Sequence, residues 1–186
     1  MRTIKLQVQI SVDGFMAGPG GEMDWMVWNW DDALNNYVTG IMKNIDLILL
    51  GRKLAEGFIP HWEKVASDAA NPENASGKVF SDTKKIVFSK SLTASPWKNT
   101  VVNNGDLVRE IEALKRTEGG DIFVYGGSAF VRALTGANLI DEYHLFINPN
   151  AMGGGLKVFD SRIGLKLEDT IRFECGIVVL KYSAVR

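Results

Sequence analysis

Between residues 3 and 12 polar and apolar side chains alternate without a break. Ile4, Leu6, Val8, Ile10 and Val12 share one face, and Lys5, Gln7, Gln9, Ser11 and Asp13 share the other. A two-residue period sustained over that length is a β-strand with a single apolar face. From residue 31 the period changes. Leu34, Tyr37, Val38, Ile41 and Met42 follow the i, i+3, i+4, i+7, i+8 spacing of an amphipathic helix. Asp31 and Asp32 fall in its first turn, where carboxylates suit the positive end of the helix dipole. Asp46–Leu50 is then a short buried strand closed by Gly51-Arg52. A strand, an amphipathic helix and a second, buried strand in succession commit the chain to helices layered on a sheet.

The alternation continues downstream. Lys84–Ser89 and Thr100–Asn103 are predicted strands, and Leu107, Val108, Ile111 and Leu114 mark a helix that ends in Lys115-Arg116 and then Gly119-Gly120. Ile122–Tyr125 is a strand, Gly126-Gly127 a turn and Ser128–Leu134 a helix. The last quarter is rich in strands, near 139–148, 156–159, 165–174 and 176–185, with a hairpin around Cys175-Gly176. Residues 60–83, interrupted by Pro60, Asn71, Pro72, Asn74 and Gly77, read as irregular loop with one short helical turn. With 186 residues and no repeat or linker, the expectation is a single domain spanning 1–186. Its class is α/β, a mainly parallel sheet carrying an antiparallel C-terminal tail.

Composition excludes several functions. Lys+Arg number 21 against 22 Asp+Glu, so the chain is not built to bind nucleic acid through its phosphates. Cys175 is the only cysteine, which rules out an intrachain disulfide and a cysteine-rich zinc site. His61 and His144 are too few for a metal cluster, and His61-Trp62-Glu63 lacks the P-C-x-x-C that a zinc deaminase requires. No metal is therefore expected. The longest unbroken apolar run is Leu47-Ile48-Leu49-Leu50, so no membrane span is expected, and the opening residues contain no signal-type apolar core. The expected home is the cytoplasm.

In open α/β sheets ligands bind outside the carboxyl ends of the strands. Four unusual sequences fall there. Gly126-Gly127-Ser128 joins a buried strand to a helix, where free backbone N–H groups can cradle an anion; a plain tight turn explains it as well. Gly51-Arg52-Lys53 places two cations at a helix start, a poor choice for the dipole unless an anion joins them. Ser89-Lys90-Ser91 offers two hydroxyls and an ammonium to phosphate oxygens. Taken singly, each suits a solvated loop; together they favour a dinucleotide or phosphorylated ligand. Ser11 and Asp13, on one side of the first strand, border the same crevice, although an Asp-Gly pair also commonly forms an Asx-turn. The aromatic loop with Trp25, Trp28 and Trp30 is either a lid over that crevice or part of a core or subunit interface.

The order of these motifs resembles the dihydrofolate-reductase-like superfamily, and more closely the reductase domain of the bacterial bifunctional riboflavin-biosynthesis deaminase–reductase in stand-alone form. The resemblance is carried by Ser11-Val12-Asp13-Gly14-Phe15, Leu50-Gly51-Arg52-Lys53, Val87-Phe88-Ser89-Lys90-Ser91-Leu92, Trp97-Lys98-Asn99-Thr100, Gly119-Gly120-Asp121-Ile122, Tyr125-Gly126-Gly127-Ser128, Leu139-Ile140-Asp141-Glu142-Tyr143, and Pro149 with Gly153-Gly154-Gly155. It implies a three-layer sandwich around a mostly parallel sheet, an NADPH-dependent reductase, and a homodimer acting on a small-molecule substrate. It further implies that Gly51, Arg52, Lys53, Ser89, Lys90 and Ser91 hold the adenosine phosphates of the cofactor and that Gly126, Gly127 and Ser128 hold its pyrophosphate. Ser11, Asp13 and the 14–30 loop would border the nicotinamide and the substrate. In the riboflavin enzymes the hydride converts a ribosylamino-uracil phosphate to its ribitylamino form. No deaminase half is present here, so the implied activity is reduction alone. Two alternatives remain: a dihydrofolate reductase, whose substrate carboxylate would be sought at Asp31 or Asp32 although counting back from Gly51 points to Asn35, and a nucleotide-cofactor-binding protein without catalysis.

Overall fold

The computed structural model describes residues 1–185. The strictly alternating segment forms β1 (Ile4–Ile10), followed by a short β2 (Phe15–Ala17) and, after the aromatic loop, α1 (Asp32–Met42). Next come β3 (Ile45–Gly51), α2 (Arg52–Ser67), α3 (Asn74–Asp82), β4 (Lys84–Phe88) and β5 (Thr100–Asn103). The second half holds α4 (Leu107–Arg116), β6 (Asp121–Gly126), α5 (Ser128–Gly136), β7 (Glu142–Ile147), β8 (Leu156–Lys157), β9 (Leu165–Arg172) and β10 (Val178–Ala184).

Eight strands form one sheet in the order β5-β4-β3-β6-β1-β7-β10-β9. The first six are parallel to one another, and β10 and β9 add an antiparallel hairpin at the far edge. This is the mostly parallel α/β sandwich with an antiparallel C-terminal tail expected from the sequence. The alternation in β1 sorts its side chains between two layers. Ile4, Leu6, Val8 and Ile10 pack with Ile111, Val131 and Leu134 of α4 and α5. The opposite layer joins Leu34 and Ile41 of α1 to Ala55, Phe58 and Ile59 of α2 and Phe80 of α3, over Ile48, Phe123 and Phe146 of the sheet. The longest helix, α2, has 16 residues, and none of the described helices is long and apolar enough to cross a membrane.

The reading of residues 60–83 as irregular loop is corrected: most of this segment is helical. Pro60 lies inside α2, where it removes one backbone donor at an exposed position. The helix persists because Ala55, Phe58, Ile59 and Val65 bury one face. The apparent breakers build a helix–helix corner. The Asn74 amide donates to the carbonyls of Val65, Ala66 and Asp68, satisfying orphan groups at the end of α2. Gly77 lets α3 cross closely, since a Cβ there would lie 2.7 Å from the Ala66 nitrogen. Beyond it Phe80 packs against Trp62, ring centroids 4.5 Å apart. Cys175 sits in the turn between β9 and β10, where the hairpin was expected, and its N–H donates to Asp31 at 3.1 Å.

Candidate functional site

The register of the parallel strands brings the three glycine- and cation-bearing turns to one edge. Gly51 pairs level with Phe88 of β4, and Leu50 pairs level with Gly126 of β6. Ser89-Lys90-Ser91, Gly51-Arg52-Lys53 and Gly126-Gly127-Ser128 therefore leave three adjacent strands at the same height. Two of these turns touch. A Cβ on Gly127 would lie 3.1 Å from the Gly51 Cα, and one on Gly51 would lie 2.8 Å from the Phe130 Cβ. Gly127 also holds φ +97°, a conformation that side chains rarely adopt.

The helix starts at this edge differ from two others in the chain. Asp31 caps α1 by accepting from the Leu34 N–H at 2.8 Å, and Asp106 caps α4 by accepting from the Arg109 N–H at 3.0 Å. The starts of α2 and α5, after Gly51 and Gly127, have no side-chain cap and no acidic residue in the first turn. Arg52 and Lys53 add positive charge, and Arg52 reaches only Glu56 one turn along, at 2.6 Å. Two contiguous uncapped N-termini beside cations form a basin of N–H donors suited to a polyanion. Next to it Ser89 is partly committed to its own loop: its hydroxyl oxygen accepts from the N–H groups of Ser91 and Leu92 at 3.1 and 2.9 Å. Asn104 ties the loop down by donating to the Ser89 and Leu92 carbonyls. Lys90 and Ser91 remain exposed.

On the next strand of the sheet, beside β6, the end of β1 makes a braced corner. Ser11 is fully buried; its hydroxyl donates to Asp13 Oδ1 at 2.6 Å and accepts from the Phe15 N–H at 3.0 Å. Asp13 also accepts from the Met152 and Gly153 N–H groups, the latter at 2.7 Å. The Ser11 hydroxyl and these backbone donors pull the Asp13 carboxyl down to about 2. Asp13 is thus an anion across the neutral range, clamping the glycine-rich turn after β7 to the end of β1.

Between the corner and α1 runs a polar row that sequence reasoning did not pick out as a site. The Asn148 side chain, fully buried, accepts from the Val27 N–H at 2.8 Å and donates to Gln9 Oε1 at 2.9 Å, anchoring the aromatic loop to the sheet. Deeper, Tyr37 Oη and His144 Nδ1 are 2.6 Å apart, and His144 Nε2 lies 2.6 Å from Glu142 Oε1. The hydrogen bond from His144 holds Glu142 at about 2, and burial raises the Tyr37 hydroxyl. The signal for this row was the alternation itself: Lys5, Gln7, Gln9 and Ser11 occupy a sheet face that α1 covers. The aromatic loop is mixed in character. Trp30 packs on Phe146 with centroids 6.1 Å apart, whereas Trp28 is 62% exposed. Asp31 is spent on capping and on the Cys175 N–H, and Asp32 and Asn35 are exposed. Among the described residues no group of three His, Cys, Asp or Glu side chains could hold a metal ion.

Comparison with known proteins bears on the family and the fold. Residues 2–179 match the model of the RibD C-terminal domain family. The chain is 30% identical over 184 residues to the uncharacterized protein YyaP of Bacillus subtilis (strain 168), covering 97% of this chain and 94% of that one. Among solved structures, a putative riboflavin biosynthesis protein from Shewanella sp. PV-4 superposes with a TM-score of 0.73 at 19% identity, with 99% of each chain covered. The Thermotoga maritima diaminohydroxyphosphoribosylaminopyrimidine deaminase/5-amino-6-(5-phosphoribosylamino)uracil reductase superposes with a TM-score of 0.68 at 20% identity, covering 99% of this chain and 57% of that one. The match along nearly the whole chain, on a dihydrofolate-reductase-like sheet, makes the protein a member of the RibD C-terminal domain family.

Proposed function

We propose that the chain is an NADPH-dependent reductase that transfers a hydride to a small heterocyclic or pyrimidine-ribose substrate of the 5-amino-6-(5-phosphoribosylamino)uracil kind. The observation that carries this reading is the pair of uncapped helix starts in contact at Gly51 and Gly127. In this reading the N–H groups opening α5, with Gly126, Gly127 and Ser128, receive the pyrophosphate, and Gly51, Arg52 and Lys53 meet the adenosine side. Arg52, together with Ser89, Lys90 and Ser91 on the neighbouring strand end, receives the additional phosphate that distinguishes NADPH from NADH. When bound, the reduced nicotinamide supplies the hydride.

The chain's own residues supply position and charge. Ser11 and Asp13 border the reacting centre as a fixed hydroxyl–carboxylate corner. With its carboxyl held near 2, Asp13 contributes negative charge beside a developing cation and is not the proton donor at neutral pH. The aromatic loop, tied by Val27 to Asn148, excludes water from the crevice. The pyrimidine-reductase reading is favoured over a dihydrofolate reductase because Asp31 serves as the cap of α1, its two oxygens accepting from the Leu34 and Cys175 N–H groups.

The same proposal includes a homodimer. Leu167 of β9 is 53% exposed, and Leu180 and Tyr182 of β10 are only partly buried. The test of function is a titration of purified protein with NADPH, followed through its five tryptophans. Saturable quenching is expected, with NADH weaker; no response to millimolar NADPH would remove the reading.

A further inference from the structure

Gln7 lies at the middle of β1 and is 95% buried by the complement of its 5% exposure, yet its Oε1 has no hydrogen-bond donor. Its neighbours do not supply one. His144 pairs level with it on β7, but both ring nitrogens are engaged, by Tyr37 and by Glu142. A buried amide carbonyl left unpaired carries a desolvation cost that nothing offsets, and a leucine of similar size would avoid it. Two residues along the same face, Gln9 spends its Oε1 on Asn148. Its two N–H donors are uncommitted among the described residues. An acceptor and a pair of donors thus stand in sequence on one strand face, next to the loop anchored at Val27.

We infer that Gln7 and Gln9 are specificity-determining residues that read the amide edge of a neutral planar heterocycle, Gln7 Oε1 accepting a ring N–H and the Gln9 amide donating to the adjacent ring carbonyl. The inference rests on the reading above that this crevice takes a heterocyclic substrate, and it adds which edge is recognised and by what. The carboxylates nearest in the fold have other partners: Asp13 accepts from three donors, and Asp31 from two backbone N–H groups. A lactam edge satisfies both amides without calling on either carboxylate. A site built to hydrogen-bond an N–H rejects the analogue that lacks it, because its own polar group stays unpaired.

The test uses 6-aminouracil and 6-amino-1,3-dimethyluracil, in which methyl groups replace the ring N–H donors. Calorimetric titration of the whole protein, with and without NADPH, is expected to show a preference of roughly tenfold or more for the unmethylated compound. Gln7→Leu is expected to erase that preference and to melt at a higher temperature than the wild type. Gln7→Met, a closer match in shape, should erase it too. Equal binding of the two compounds by the wild type, binding of neither at millimolar concentration, or a Gln7→Leu protein that keeps the preference or melts lower would each overturn the inference. Preference intact with no NADPH binding would leave the role of Gln7 standing and remove the reductase reading instead. NADPH binding with no preference would do the reverse.

Discussion

Replacing Gly127 by alanine tests the contact on which the anion basin depends. Gly127 has φ +97° and ψ 104°, outside even the small left-handed region open to ordinary residues. A side chain held in such a sparsely populated region costs about 1–3 kcal/mol. The new methyl would also stand 3.1 Å from the Gly51 Cα and 3.3 Å from the Gly51 nitrogen, so one of two paired strand ends must give way. Taking ~2 kcal/mol for the sum, and a shift of about 2–4 °C per kcal/mol for a chain of this size, the melting temperature should fall by roughly 4–8 °C. NADPH affinity should fall as well, because the turn that moves carries the first N–H groups of α5. Gly57→Ala is the control. Gly57 lies exposed within α2 with nothing within 4 Å of an added Cβ, so alanine there should stabilise by up to about 1 kcal/mol. Thermal unfolding and a fluorescence titration of both variants decide the matter. An unchanged melting temperature for Gly127→Ala would refute the steric argument. A destabilised variant with wild-type NADPH affinity would show that the contact is packing alone.

Arg52→Ala should reduce the preference for NADPH over NADH while changing stability by less than about 1 kcal/mol, since its partner Glu56 is an exposed i,i+4 neighbour; dissociation constants for both cofactors check it. Asp13 has a folded-state value of about 2 against an ordinary 3.8, so its contribution is complete above the ordinary value and is lost as pH falls toward about 2. Asp13→Asn should therefore flatten the acid limb of stability in that window, read by circular dichroism against pH, and a limb identical to wild type would count against the clamp. Leu167→Glu, on the exposed edge, should leave a particle of 20.5 kDa by light scattering where the wild type has twice that mass. A wild type that already scatters as one chain removes the dimer.

Much of the architecture is legible in the sequence because burial writes it with a regular period. β1 is read correctly from its alternation, and α1 from its i, i+3, i+4 spacing. The corner of α2 and α3 is not, because its determinants are tertiary. Pro60, Asn74 and Gly77 are breakers by local propensity, and only the tertiary setting turns them into a tolerated exposed helix position, a cap and a crossing point. The strand-end turns can be located in the sequence, but not the fact that Gly51 touches Gly127, which follows from the level pairing of β3 with β6. The polar row from Glu142 to Asn148 is illegible for another reason. His144 and Asn148 stand in a segment that reads simply as strand, and their partners Tyr37, Gln9 and Val27 are more than a hundred residues away.

The position of β1 also bears on how the chain comes off the ribosome. The first strand made is flanked in the finished sheet by β6 and β7, so residues 4–6 wait for 122–124 and residues 5–10 wait for 142–147. Meanwhile β3, β4 and β5, each beside the next, can assemble with α2 and α3 as a half-sheet. Until residue 124 emerges, Ile4, Leu6, Val8 and Ile10 belong to a nascent strand with neither edge paired, and until residue 147 emerges one edge stays open. Non-local pairing of this kind is slow and open to aggregation. The polar face formed by Lys5, Gln7 and Gln9, which looks extravagant in a finished core, keeps that waiting strand from being apolar on both sides.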